Sequence, residues 1–278
     1  MVVNSHVQIT RGILKGFAFK SNEGFKVHYL DLNDFNIKEE KIKILGSKSF
    51  YYNEKNEKYL SDIEGKFGEV AAKIKRFEKG KVEKLFLTEK DCRDIKMFFE
   101  YAFIRSEKNL KDINKKSLAA KIIGDMVHDE LIDLTKLDNS VLSYFKDFKI
   151  NIIINKTSRN FVVPRCVWYA FKKGKYIREM YVLPINNKTG IIMIHKDDYS
   201  NFEDSQGTQY LSIKDEKSIL NLNEIALNFE RNENNQFIVG ELEELNILKE
   251  LMEKRVNTCF FNIKFPRLKN GEAHKNCK

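Results

Sequence analysis

Lys149-Ile150-Asn151-Ile152-Ile153-Ile154 decides the fold class of this chain. Isoleucine is branched at Cβ, stiff in a helix and well packed on a pleated surface, so the run predicts a strand. Towards the C-terminus the pattern stays β-like. Residues 160–171 are similar, and Tyr181-Val182-Leu183-Pro184-Ile185 and Gly190-Ile191-Ile192-Met193-Ile194 flank Asn186-Asn187-Lys188-Thr189, which predicts a hairpin with a longer loop. Helical spacing resumes at Ile219, Leu222, Ile225, Ala226 and Phe229. Residues 236–239 then read as a short strand and 241–254 as a helix.

Towards the N-terminus the period changes. Leu60, Ile63, Phe67, Val70, Ala71, Ile74 and Phe77 step by three and four, one face of a helix. Thr88 followed by Asp91 has the form of a helix start, and Ile95, Phe98, Phe99, Ala102 and Phe103 supply the buried face that follows. A third helical pattern runs over residues 110–134. Phe25 to Leu32 alternates like a strand, and residues 35–44 are placed to return beside it. These elements predict one α+β domain over residues 1–265. Its helix-rich part, 1–147, packs on a mainly antiparallel sheet from 148–265, and residues 266–278 form a flexible tail.

Composition limits the function classes. Of 278 residues 42% are hydrophobic and 32% charged, with 13 Gly and 3 Pro, which fits a packed core and excludes collagen-like or linker-like chains. Cys92, Cys166, Cys259 and Cys277 form no C-x-x-C pair, so neither a zinc ribbon nor a disulfide scaffold is indicated. No stretch reads as a signal peptide or a membrane span. The expectation is a reduced, cytoplasmic protein without membrane contact.

Charge is the most informative feature. Residues 148–190 hold Lys149, Lys156, Arg159, Arg165, Lys172, Lys173, Lys175, Arg178 and Lys188 against Glu179 alone, a net +8. Residues 191–253 carry a net −9, and the whole chain +9. The basic block also contains Phe161, Trp168, Tyr169, Phe171, Tyr176 and Tyr181. Cations beside aromatic faces are what single-stranded nucleic acid requires: phosphates are neutralised and bases stack. The same residues also fit a second arrangement, with rings in the core and Lys and Arg on solvated strand edges.

Candidate chemistry follows from residue type. His6 lies close to Arg11 and Lys15 in sequence, and neighbouring cations favour the neutral imidazole. That form suits a general base on a ribose hydroxyl, with Lys or Arg stabilising the charged transition state. Asp125, His128, Asp129 and Asp133 have ligand types for a divalent metal, but such acidic helix faces are ordinarily solvated, and no metal is assigned. Glu64-Gly65-Lys66 and Glu39-x-Lys41 match half of a nuclease motif at the frequency chance allows in so charged a chain. Cys166 beside Arg165 is placed for thiolate chemistry or, more simply, for burial in a strand. Neither a P-loop, a G-x-G-x-x-G nor a G-x-S-x-G occurs, so no cofactor is assigned.

His6-Val7-Gln8-Ile9-Thr10-Arg11-Gly12-Ile13-Leu14-Lys15-Gly16-Phe17 resembles the opening of a bacterial family of uncharacterised domains. That opening has the form His-x-x-Pro, then an aliphatic pair, Lys or Arg, one residue and Phe. Lys26-Val27-His28-Tyr29, Phe50-Tyr51-Tyr52, Leu60-x-x-Ile63-Glu64, Phe103-Ile104-Arg105, Asn160-Phe161-Val162-Val163, Leu183-Pro184-Ile185 and Leu222-Asn223-Glu224-Ile225 follow in the family's order. This chain departs from it at Thr10, where the family has Pro or Ser, and by one residue in the spacing from His6 to Phe17. It departs again at Pro164-Arg165-Cys166-Val167, where a cation replaces an Asp.

The family occurs in phage-defence loci, so the resemblance implies an abortive-infection effector. The expectation is an effector that binds RNA or single-stranded nucleic acid and cleaves RNA. His6, Glu64 and Arg105 are the catalytic candidates. Arg11, Lys15, Lys156, Arg159, Arg165, Trp168, Tyr169, Lys172, Lys173, Lys175 and Arg178 are the binding candidates, and Asn223 a structural one. Two alternatives stand beside it: a non-enzymatic module that recognises a phage component, and a regulatory DNA-binding protein.

Overall fold

The computed structural model describes residues 4–6, 9–49, 54–105, 145–171, 179–198, 210–230 and 237–256. The elements in order are β1 (Asn4–His6), α1 (Arg11–Phe17), β2 (Phe19–Ser21), β3 (Gly24–Asp31), β4 (Ile37–Lys41), β5 (Ser47–Ser49), α2 (Glu54–Glu78) and α3 (Glu89–Arg105). They continue with β6 (Phe148–Asn155), β7 (Val163–Pro164), β8 (Tyr169–Phe171), β9 (Met180–Asn186), β10 (Thr189–His195), β11 (Tyr210–Ile213), α4 (Glu216–Glu230), β12 (Phe237–Gly240) and α5 (Leu242–Val256).

The α+β class describes the molecule, but the expected layout of a helical first half on a second-half sheet does not. Five strands precede the first long helix, and α4 and α5 lie near the C-terminal end. One five-stranded sheet has the order β11-β6-β10-β9-β8, antiparallel except where β11 runs parallel to β6. The other takes β2, β3 and β4 from the first half of the chain and β7 and β12 from the second. The two halves therefore share a sheet. The physical reason is long-range pairing: the short run Phe237-Ile238-Val239-Gly240 finds its partner in β3, across more than 200 residues, and local periodicity carries no trace of that. A two-stranded ribbon joins β1 to β5.

Smaller differences have local causes. β9 and β10 are joined by Asn187-Lys188 alone, a tighter turn than expected, because Asn186 and Thr189 themselves pair and a bulge follows Thr189. Residues 160–171 are broken into β7 and β8 by a turn in which Val167 N donates to Pro164 O at 2.9 Å. Val167 there has φ 66°, a left-handed conformation that is strained for a β-branched residue. The helical pattern over 110–134, the Asp125–His128–Asp133 run and the tail after 265 lie outside the described residues.

Both faces of the first sheet are covered, since β9 and β10 are buried at every position. Here α1 touches β9, α4 touches β8, and α2 reaches β10, while α1 and α4 also pack on β12 of the second sheet. Buried apolar residues from Ile9 to Met252 form one continuous cluster. Close approach of α1 requires Gly16, where a Cβ would stand 2.1 Å from Ile185 O. No described helix is long and apolar enough to cross a membrane.

Helices α2 and α3 form an antiparallel pair with well-defined ends. Phe67 stacks on Phe98 at 3.9 Å between centroids. At the start of α3, Thr88 Oγ1 accepts from Asp91 N at 3.1 Å while Asp91 Oδ2 accepts from Thr88 N at 2.9 Å, a reciprocal capping box. Lys73 of α2 donates to both Asp91 oxygens, at 2.7 and 2.9 Å. Burial pushes the Asp91 carboxyl up, but the Lys73 and Thr88 donors outweigh it and hold the group below its ordinary value. In α3, burial instead raises Glu100 to about 8, its one described donor being Phe145 N at 3.5 Å.

The two carboxyls give opposite pH signatures. Asp91, with its folded pKa lowered, stabilises the fold above pH 3.8 and loses that contribution as pH falls through its folded pKa. Asp91→Asn is expected to lower the unfolding free energy by about 1–3 kcal/mol at pH 7, with the gap closing in acid. Glu100, with its folded pKa raised, costs stability progressively as pH rises from 4.5 towards about 8. Glu100→Gln is therefore expected to gain on the parent between pH 5 and 8 in urea unfolding. A constant difference across that range would refute the assignment.

Candidate functional site

The basic segment builds a polar junction between the two sheets. Its loop, residues 156–162, leads from β6 in one sheet to β7 in the other. Asn155 shapes the loop by donating to Arg159 O at 2.7 Å and accepting from Thr157 N at 2.9 Å. Lys188, from the β9–β10 turn, points its ammonium at three loop carbonyls: Thr157 O at 2.9 Å, Ser158 O at 3.0 Å and Arg159 O at 2.6 Å. A compact cation with three donors suits a cage of three carbonyls.

Glu244 lies in the first turn of α5, where the helix dipole favours a carboxylate, and is only 3% exposed. It accepts from Asn160 N at 3.1 Å, Arg159 Nη1 at 3.2 Å and Asn223 Nδ2 at 3.4 Å. Asn223 of α4, fully buried, also donates to Asn160 O at 2.8 Å and accepts from Val162 N at 3.1 Å. Glu241 accepts from Asn160 Nδ2 at 2.7 Å and Asn187 Nδ2 at 2.5 Å, and Ser158 donates to Glu216 at the start of α4. The acidic block thus meets the basic block inside the fold, and Arg159 and Asn223 are brought together through Glu244.

The remaining candidates fall in several places. Arg165 is mostly buried, its Nε 3.8 Å from Glu230 Oε1. The Cys166 thiol lies 2.9 Å from Trp168 O and 3.2 Å from Glu230 Oε2, so it faces two acceptors and serves as a hydrogen-bond donor. Trp168 (3% exposed) and Tyr169 (0%) are interior, which corrects their assignment as a stacking platform. Trp168 packs against Phe229 at 5.0 Å and Tyr181 at 5.8 Å. A large ring gains more from burial in the sheet than from standing in water, and bases cannot reach it there.

Arg11 and Lys15 lie one turn apart on the exposed side of α1, and Lys156 is exposed beside β6. Glu64 is half-buried on α2. His6 pairs through its backbone with Ser47, and Arg105 ends α3. The side chains of His6 and Arg105 lie outside the described residues, as do Lys172, Lys173, Lys175 and Arg178 entirely. Among the described residues no group of three or more His, Cys, Asp or Glu is placed to hold a metal ion.

Sequence reading missed Glu244, Glu241 and Asn155, and counted Lys188 only as one cation of the basic block. Two signals for them exist: acids in the first turn of a helix, and an Asn-Asn-Lys turn. Neither says that turn and helix meet.

The chain matches no family model, no curated protein and no solved structure.

Loss of the junction is expected to be costly. Glu244→Ala leaves Arg159, Asn160 N and Asn223 without their acceptor and should lower the unfolding free energy by about 3–5 kcal/mol. Lys188→Met should cost about 2–3 kcal/mol, because three loop carbonyls lose a charged donor. Denaturant titration of both variants checks this, and a change under about 0.5 kcal/mol in either, the size of an ordinary surface substitution, would show that its bonds do not hold the loop.

Proposed function

We propose that the protein binds nucleic acid through surface cations that its own carboxylates leave unneutralised. What supports this is the division of charge between inside and outside. Glu230 and Glu244, 5% and 3% exposed, are directed at Arg165 and Arg159 within the fold. By contrast Arg11 and Lys15 on α1, and Lys75, Arg76, Lys79, Lys81 and Lys84 around the end of α2, are exposed and have no ion-pair partner among the described residues. Exposed cations that no carboxylate neutralises attract polyanions.

The proposal is one of binding. A general base and a transition-state clamp require His6, Glu64 and Arg105 in one place, and since the side chains of His6 and Arg105 lie outside the described residues, no catalytic step is assigned to them.

Fluorescence anisotropy with a labelled oligo-uridine, titrated over a range of salt, tests the proposal. Binding should weaken linearly on a log–log plot of affinity against salt. Arg11→Ala with Lys15→Ala should reduce the slope by up to about 0.7 for each phosphate that is no longer neutralised. Absence of salt-sensitive binding by the unaltered protein overturns the reading.

A further inference from the structure

We infer that the turn joining α2 to α3 is a docking site for single-stranded nucleic acid, with Phe86 as its stacking platform. The inference rests on the nucleic-acid reading above and adds where the polymer sits and which form it takes. Phe86 is 76% exposed, more than any other large hydrophobic side chain among the described residues, and Val82 nearby is 41% exposed. Lone exposed apolar residues are ordinary on protein surfaces. What distinguishes this one is its setting.

The ring is held outward by its neighbours. Residues 84–88 belong to neither helix; Leu85 is half-buried, Leu87 is buried against the core, and Phe86 between them is exposed. Burial alternates along this run, and with Leu85 and Leu87 packed against the core Phe86 between them is left facing solvent. Lys84, two residues away, is also exposed. Immediately after the run, the Thr88–Asp91 box starts α3, and Lys73 ties that box to α2.

On the other side the turn is equally well defined. Gly80, at φ +67°, ends α2: Lys81 N donates to Arg76 O and Gly80 N to Phe77 O, each at 2.9 Å, the pattern of a Schellman cap. Lys79, Lys81 and Lys84 are therefore carried on a short, fixed segment together with Lys75 and Arg76 from the last turn of the helix. Part of this charge complements the carboxyl end of the helix dipole. That role does not reach Lys84, which lies beyond the turn, and does not account for an exposed ring.

An aromatic face beside Lys75, Arg76, Lys79, Lys81 and Lys84, which outnumber the exposed Glu83 and Glu89 of the same stretch, matches a polymer that offers phosphates and unstacked bases together. Single strands do so, while a duplex keeps its bases stacked inside. Because ring and cations are positioned before binding, little ordering is needed on contact.

Anisotropy titrations with labelled oligo-uridine and with an RNA duplex of equal length test this. The unaltered protein should prefer the single strand. Phe86→Ala should weaken single-strand binding about tenfold, the loss of one stacked base, with an unchanged salt slope, and Phe86→Trp should retain the affinity. Replacing Lys79, Lys81 and Lys84 together by Ala should instead lower the slope by about 0.7 for each phosphate released from its cation. Thermal unfolding of each variant should match the parent, since every altered side chain is exposed. If the parent binds and Phe86→Ala binds as well as the parent, or if the duplex binds equally, the docking site is refuted while the general reading stands. If the parent does not bind, the general reading itself fails.

Discussion

Glu244 is the constraint on which the rest of the structure depends. Its side chain is nearly sealed from water, and Arg159, Asn160 N and Asn223 supply the hydrogen-bond donors that burial takes away from it. Those partners come from the loop between the sheets and from α4, while Glu244 itself belongs to α5. One acid therefore sets the position of two helices and of the crossing between the sheets. Lys188 repeats the device with the sign reversed, a cation amid carbonyls that fixes the same loop from the β9–β10 turn.

This arrangement turns much of the described part of the basic segment inward. Its rings fill the interior around Trp168 and Tyr181, and Arg159 and Arg165 turn to carboxylates within the fold. Among the described residues, exposed cations without an ion-pair partner include Lys156 of that segment, Arg11 and Lys15 on α1 and a group around the end of α2. A count of cations along the chain measures total charge; which of them act on a partner depends on where the acids end up.

The α2–α3 pair provides a rigid mount for that charge. Stacked Phe67 and Phe98, the Lys73–Asp91 pair, the Schellman end of α2 and the capping box of α3 leave only a short turn between two anchored helices. Surface charge on such a mount presents one geometry to a partner, whereas lysines on a loose tail would have to be ordered on contact.

Much of the local structure was legible in the letters. The apolar spacing from Leu60 to Phe77 specifies the buried face of α2, Thr88 and Asp91 specify the start of α3, and the isoleucine runs specify β6 and β10, because each depends on residues within one or two turns or on alternate positions of one strand. Tertiary structure alone decided that β12 pairs with β3, that Trp168 and Tyr169 face inward, and that Glu244 holds Arg159. Each of these joins residues tens to hundreds of positions apart, or turns on which side of a strand is covered. A buried strand has the same alternation whichever face receives the helix, and a charge shows its partner only once the chain has folded back on itself.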